Sequence, residues 1–236
     1  MWTTHSYSKT RAQNLIIAGL LAILGVLGLV SLSLGAYQIP FAQLLGVILD
    51  GLGVQGVAAE SQQVNVLLQI RLPRIVLATL IGGGLGIAGA SLQGMFRNPL
   101  VEPGLIGVSS GSALFAVIYL VLIAGSTGLW KSMSAFGLPL FAFVGGLIHV
   151  AAVYRLSRSE GKTETSTLIL AGVAINALAG ALIGLTLFYA DDAALRSFTF
   201  WSLGDLGGAS WTKIPTALLL ILLPSVFLFR DYRALN

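Results

Sequence analysis

One uncharged run, from Ile75 to Phe96, most constrains what this chain can fold into. Its 22 residues contain no Asp, Glu, Lys or Arg, whereas Arg71 and Arg74 precede it and Arg97 follows it. As an α-helix with a rise of about 1.5 Å per residue, the run would extend about 33 Å and cross a hydrocarbon layer of about 30 Å. The run therefore predicts a membrane-spanning helix with charges at both ends.

Small side chains recur every fourth residue along this run, at Gly82, Gly86, Ala90 and Gly94. Positions four apart share one face of a helix. Membrane helices associate through close van der Waals contact, and a face of small residues lets two backbones approach. The stripe therefore predicts helix packing inside a bundle.

The composition argues against a water-facing surface. Of 236 residues, 56% are hydrophobic and 9% charged, and the mean hydropathy is +0.90. A soluble domain has about 25% charged residues. The net charge of +4 comes from scattered basic residues that form no patch, so we expect no nucleic-acid partner. With no cysteine and two distant histidines, we expect neither a metal site nor a cofactor.

Six apolar segments predict an all-α, polytopic membrane protein with one domain over residues 1–236. Of the remaining chain, Ile39–Leu49 is expected at the membrane interface, Asp50–Gln69 as an external loop and Ala193–Leu203 as a short half-helix at the surface. A cleaved signal peptide is the alternative for the first segment, although its apolar core is longer than the usual length of about 7–15 residues. The predicted spans are Asn14–Leu34, Arg74–Phe96, Gly104–Ala124, Leu138–Tyr154, Leu168–Ala190 and Ile214–Phe229.

Six spans place both termini on one side of the membrane. If that side is cytoplasmic, it holds eight of the 13 Lys and Arg residues, which is the direction of the positive-inside rule. The span interiors carry no Asp, Glu, Lys or Arg, although ion-coupled transporters normally need acidic groups there. The chain also has no Walker-type phosphate loop. These features favour a neutral conduit whose energy comes from another subunit.

Two short motifs have enzymatic interpretations. Gly84–Gly89 matches the dinucleotide fingerprint but lies in mid-span, where close helix packing is the better interpretation. Ser109 and Ser110 lie in a Gly-x-Ser-x-Gly pattern without a predicted strand. An intramembrane serine hydrolase that pairs one of them with His149 is the alternative function. A packing subunit without cargo is a third.

Two polar sets have open interpretations. Arg71 and Arg74 flank a proline at the outer end of the second span, where arginines either anchor to lipid headgroups or pair with carboxylates of a soluble partner. A second four-residue stripe includes an amide, which either bonds to another helix or lines a pathway. This stripe consists of Gly172, Asn176, Gly180 and Gly184.

Ordered motifs spread over nearly the whole chain resemble one family. They are RLPR at 71–74, AGASLQG at 88–94, FRNPL at 96–100, EPG at 102–104, GVSSG at 107–111 and a block from LAGVA at 170–174 to Trp211. Together they resemble FecCD/BtuC-type permeases, the membrane subunits of bacterial ATP-binding-cassette importers for ferric siderophores, haem and vitamin B12. NALAG at 176–180, with ADD at 190–192 and TFW at 199–201, is most similar to haem permeases.

The resemblance implies a permease dimer in the bacterial inner membrane, with the pathway at its interface. It also implies cytoplasmic ATP-binding-cassette ATPases and a periplasmic substrate-binding protein as partners. The residues it implies are Arg71 and Arg74 for docking of the binding protein, Asn98, Leu100, Thr165 and Ser166 for the cytoplasmic gate, and Gly172, Asn176 and Gly180 for the pathway.

The cargo implied by the resemblance is haem or a ferric siderophore, with vitamin B12 as the alternative. Family members have a ten-span fold, whereas this sequence ends soon after its sixth span. We therefore expect an N-terminal part of the permease, without the segment that contacts the ATPase and without the last spans. Transport by this part alone is not expected.

Overall fold

The computed structural model describes residues 4–51, 60–124, 134–159, 162–163 and 165–230. Most of these residues are helical, which confirms the predicted all-α fold. The chain divides into two compact units, Met1–Gly82 with Leu206–Leu222 and Gly83–Asp205 with Leu223–Asn236. A single permease domain over 1–236 stays a prediction.

The first unit contains the N-terminal helices. These are α1 (Thr4–Ser33), α2 (Phe41–Gly51) and α3 (Ser61–Asn65), which continues through a π-helical turn (Val66–Arg71) into α4 (Leu72–Phe96). From Gly83 onward, α4 belongs to the second unit. A small apolar core joins the end of α1 to α2 and to the π-helical turn. Its buried members are Leu32, Ile39, Leu44, Val47 and Leu67.

The predicted external loop Asp50–Gln69 is wrong from Ser61 onward, because that part of the chain is helical. Its polar composition suggested a loop, yet Val64, Leu67 and Leu68 share one helical face and belong to the apolar core. This face buries Leu67 completely. The prediction is also wrong at Asp50 and Gly51, which are the last residues of α2. Residues 52–59 of the predicted loop lie outside the described ranges.

The second unit contains a cluster of packed helices. In chain order it has a 3-10 turn (Pro103–Ile106), α5 (Val108–Ile118) with a following π-helical turn (Tyr119–Ile123), α6 (Ser134–Leu156), a two-residue antiparallel strand pair β1 (Arg158–Ser159) and β2 (Lys162–Thr163), α7 (Thr165–Phe188) and α8 (Asp192–Leu203). The last helix, α9 (Ile214–Arg230), has residues in both units.

Gly107 separates the 3-10 turn from α5. Its φ of 84° lies in the left-handed region, which glycine adopts without steric cost. The predicted third span therefore begins later than expected, at Val108 rather than at Gly104. The predicted half-helix Ala193–Leu203 is confirmed as α8, and Asp191 caps it by accepting a hydrogen bond from Ala194 N at 2.7 Å.

Among the described residues, four helical segments are long and apolar enough to cross a membrane. They are Arg11–Ser33, Ser61–Phe96, Phe136–Leu156 and Thr165–Phe188. Two shorter apolar helices, Val108–Ile123 and Ile214–Leu228, match the predicted third and sixth spans. Within the described ranges, the apolar segments thus follow the predicted order.

Candidate docking and gate sites

Arg71 lies at the C-terminal end of α1 with its guanidinium turned inward. It is 9% exposed and donates hydrogen bonds to the backbone carbonyls of Leu32, Ser33 and Tyr37, the Ser33 bond measuring 3.0 Å. The last carbonyls of a helix have no intrahelical donor and form the negative end of its dipole. Arg71 therefore caps α1. Gly35 leaves room for it, because a Cβ there would lie 2.6 Å from Arg71 Nη2.

Arg74, one helical turn later, is exposed. Both arginines border a cavity of about 340 Å³ at the end of α1. Its other walls include Leu34, Val66 and Ile70. Of the two arginines predicted to dock a binding protein, Arg74 is thus the one that presents its charge at the surface.

Tyr37 and Glu60 form an exposed pair beside this cavity. The Tyr37 hydroxyl donates to Glu60 Oε2 at 2.7 Å. This hydrogen bond to a carboxylate, with a smaller contribution from desolvation, raises the pKa of Tyr37 above its ordinary value of 10.0. The pair connects the chain after α1 to the residue before α3.

Trp211 satisfies a carbonyl that Pro73 leaves without its helical donor. In the π-helical turn each amide donates five residues back, as Leu72 N does to Leu67 O. The next donor in this series would be residue 73, and proline has no amide hydrogen. The Trp211 Nε1–H instead donates to Leu68 O at 2.8 Å. The indole thereby connects the chain before α9 to the start of α4.

The predicted gate residues lie in a turn and at a helix start, and all but the half-buried Asn98 are exposed. Asn98 Oδ1 accepts a hydrogen bond from Leu100 N at 3.0 Å, which closes a tight turn. Arg97 before it has a φ of 50°, and Leu100 is 84% exposed. Thr165 and Ser166 are the first residues of α7, and both are exposed.

The second small-residue stripe is in part a packing surface. A Cβ on Gly172 would overlap Leu105 O, so the two backbones are in contact. The Asn176 side chain donates to Gly104 O at 3.1 Å and accepts from Ser110 Oγ at 2.5 Å. Farther along, Gly180 has no atom within 4 Å of an added Cβ. Lining of a pathway by these residues stays a prediction.

The first stripe, on α4, has no such contacts at its first two positions. An added Cβ at Gly82 or Gly86 would meet no other atom within 4 Å, and Ala90 is exposed. Gly94 is half-buried. Packing of another helix on this stripe stays a prediction.

The arrangement of His149 does not support a serine hydrolase. Its Nδ1 lies 3.2 Å from Gly145 O, while Ser110 bonds to Asn176 and to Gly107 O. Ser110, one of the two candidate nucleophiles, is thus committed to an amide rather than to the imidazole. Within the described ranges, no group of three or more His, Asp or Glu side chains could hold a metal ion.

Sequence reasoning missed two features near the start of α4, the capping role of Arg71 and the bond from Trp211. Pro73 was the signal for the second, since a proline that continues a preceding helical turn leaves one carbonyl without its donor. No local pattern indicates which side chain supplies that donor, because the partner is 143 positions away.

Apolar helices of membrane-crossing length, packed through glycines, define a polytopic integral membrane protein. A model of the FecCD transport family matches residues 15–236. The chain belongs to the FecCD transport family, which confirms the resemblance seen in its motifs.

Individual relatives are similar over most of this chain. The hemin transport permease HmuU of Yersinia pestis is 36% identical over 94% of this chain and 63% of its own length. The iron(3+)-hydroxamate permease FhuG of Bacillus subtilis is 31% identical over 97% and 66%, and the cobalamin permease BtuC of Halobacterium salinarum is 38% identical over 71% and 43%. The chain thus spans less than two thirds of the hemin permease.

A solved structure shares the fold. It is described as an inward-facing conformation of a metal-chelate type ABC transporter and matches with a TM-score of 0.72 and 30% identity. The match covers 94% of this chain and 63% of that one. Membership of a transport family does not favour the hydrolase alternative.

Proposed function

We propose that this chain is part of the permease subunit of an ATP-driven importer that passes haem or a ferric siderophore into the cytoplasm. The observation that carries the proposal is the family match over residues 15–236. The similarity to a hemin permease and to an iron-hydroxamate permease supports an iron chelate as cargo. The cobalamin relative supports vitamin B12 as the second candidate, over a smaller share of this chain.

In this proposal the chain lies in the bacterial inner membrane with both ends cytoplasmic. It pairs with a second permease copy, a cytoplasmic ATP-binding-cassette ATPase supplies the energy, and a periplasmic binding protein delivers the cargo. The excess of Lys and Arg on one side of the predicted spans supports the orientation. The absence of charged residues from the span interiors supports an energy source other than an ion gradient.

The binding protein docks at the end of the second span where Arg71 and Arg74 lie. Exposure supports Arg74 as the residue that pairs with a carboxylate, because a guanidinium and a carboxylate form two parallel hydrogen bonds. The bonds of Arg71 to three carbonyls support a role in fixing the segment on which Arg74 lies.

Asn98, Leu100, Thr165 and Ser166 form the cytoplasmic gate. The exposure of Leu100, Thr165 and Ser166 and the place of all four residues at a turn or a helix start support this role, since a gate must move against few neighbours. Docking outside and the nucleotide state of the ATPase inside then bias which end of the pathway is open.

Uptake by the complete importer tests the proposal. Cells without their own haem and siderophore permeases would receive this chain with the remainder of its permease, the ATPase and the binding protein. We expect uptake of iron-labelled haemin or ferric hydroxamate, and none with an ATPase that cannot hydrolyse ATP. Uptake of cobalamin alone would select the second candidate, and uptake of none of the three would contradict the proposal.

A further inference from the structure

Asn176 uses both ends of its amide on the short segment that follows the Asn98 turn. Its Nδ2 donates to Gly104 O at 3.1 Å, in the 3-10 turn, and its Oδ1 accepts from Ser110 Oγ at 2.5 Å, in α5. A side chain that contacts cargo needs a polar group directed away from its own protein. The amide of Asn176 instead bonds to two groups of its own chain, the Gly104 carbonyl and the Ser110 hydroxyl.

Gly172 brings the same two elements into backbone contact one turn earlier on α7. It is buried, and a Cβ there would overlap Leu105 O and lie 3.1 Å from the Leu105 carbonyl carbon. Any larger residue would have to move the 3-10 turn away from α7. Gly172 and Asn176 are four residues apart and therefore lie on one helical face, so their contacts form one continuous joint.

Turn hydrogen bonds order the chain on one side of this joint, and an α-helix orders it on the other. From the gate turn, Val101 N donates to Asn98 O at 3.3 Å and Leu105 N to Glu102 O at 3.1 Å. Gly107 N then donates to Gly104 O at 3.2 Å. On the other side, α7 is an uninterrupted α-helix from Thr165 through Asn176.

We propose that Gly172 and Asn176 form a mechanical joint that makes the two cytoplasmic gate segments move as one body. The inference rests on the gate described under the proposed function, and it makes Asn176 a positioning residue rather than a cargo contact. Packed backbone contacts shift between discrete arrangements instead of deforming continuously. A displacement of α7 is therefore transmitted to the turn at Asn98 and Leu100.

Distances between spin labels in the full chain, purified in detergent, test the joint. The chain has no cysteine, so Glu102→Cys and Leu170→Cys introduce two unique labelling sites. Both side chains are exposed, and neither belongs to the proposed gate residues. We expect one narrow distance distribution in the labelled parent chain.

Asn176→Ala removes both hydrogen bonds, and Ser110→Ala removes one. Because each net hydrogen bond contributes about 1 kcal/mol, we expect the population outside the narrow distribution to rise roughly tenfold or more in Asn176→Ala. Gly172→Ala should shift the main distance. Gly180→Ala is the matched control, since it adds the same methyl group two turns along the same stripe, where nothing lies within 4 Å. If Gly172→Ala does not fold, the two variants that add no volume decide the outcome.

Unchanged distributions in Asn176→Ala and Ser110→Ala would overturn the joint. A fall in cargo affinity of Asn176→Ala with unchanged distances would overturn it as well, because that result describes a cargo contact. If the two segments are not a gate, the experiment gives a different result. If the distributions broaden while uptake by the complete importer is unchanged, the joint is supported and the assignment of the two segments as a gate is contradicted.

Discussion

The helices of this chain are stabilised in two different ways. Of the membrane-length segments, Arg11–Ser33 has 6% of its most apolar window buried and Ser61–Phe96 has none, whereas Phe136–Leu156 has 22% and Thr165–Phe188 has 17%. The first two are connected to neighbours at one end, through polar bonds to backbone carbonyls. The last two pack against α5. Apolar length alone therefore does not determine how a span is stabilised.

The two stripes of small residues show the same contrast. Both repeat every four residues, and both predict close helix packing. On α7, Gly172 is in contact with the backbone at Leu105, while on α4 neither Gly82 nor Gly86 has a neighbour within 4 Å of an added Cβ. A small-residue stripe makes an approach possible, but the neighbour that approaches is specified elsewhere in the chain.

The largest effect is expected where two backbones touch. A Cβ on Gly145 would lie 2.5 Å from Gly111 O, and one on Gly111 would lie 2.6 Å from Gly145 O. Gly145→Val forces α5 and α6 apart, and we expect it to lower the free energy of unfolding by about 3 kcal/mol or more. Unfolding by sodium dodecyl sulfate in mixed micelles measures it.

The matched variant is Gly86→Val, on a face with no atom within 4 Å. Its expected change is within about 0.5 kcal/mol. Equal losses of unfolding free energy for Gly86→Val and Gly145→Val would show that α4 at Gly86 and the α5–α6 contact at Gly145 do not differ in packing.

The next effect is expected at the capped end of α1. Arg71→Met leaves three carbonyls without their charged donor, so we expect its cost at the upper end of the range of about 0.5–3 kcal/mol that is usual for single substitutions. We expect a loss of about 2–3 kcal/mol, measured in the same micelles. Arg74→Met should cost about 0.5 kcal/mol or less, because that side chain is exposed. A larger loss for Arg74→Met than for Arg71→Met would reverse the assigned roles.

A smaller effect is expected at the Trp211 bond, and a double-mutant cycle isolates it. Trp211→Phe removes the donor to Leu68 O and should cost about 1 kcal/mol. Pro73→Ala restores a backbone amide that can donate to that carbonyl, so Trp211→Phe should cost less in this background. Trp201→Phe, in α8, is the control substitution. The same cost of Trp211→Phe with proline or alanine at position 73 would show that the indole does not replace the helical bond.

The sequence alone predicts the spans well and their contacts poorly. Uncharged length sets where α4 and α7 lie, because burying a charge in lipid is costly and the pattern is local. The bonds of Arg71 and Asn176 join residues 34 to 72 positions apart, and no local pattern encodes them. The local pattern, an arginine close to Pro73, is therefore the same for Arg71 and Arg74, although Arg71 is buried and Arg74 is exposed.

The smallest effect on stability is expected at the exposed hydrogen bond between Tyr37 and Glu60. This bond connects the chain after α1 to the residue before α3 and depends directly on pH. The hydrogen bond to the carboxylate requires a protonated phenol and raises the pKa of Tyr37. The contribution of this hydrogen bond to stability is therefore fully present below the ordinary tyrosine pKa and is lost as the pH rises through the raised value.

Titration of tyrosinate absorbance should show one late-titrating group that disappears in Tyr37→Phe. Glu60→Gln should return the pKa of Tyr37 toward its ordinary value, since it removes the charged acceptor, whereas the packed α5–α6 contact at Gly145 should be insensitive to pH over the same range. An ordinary pKa for Tyr37 in the parent chain would show that the first unit does not depend on this bond.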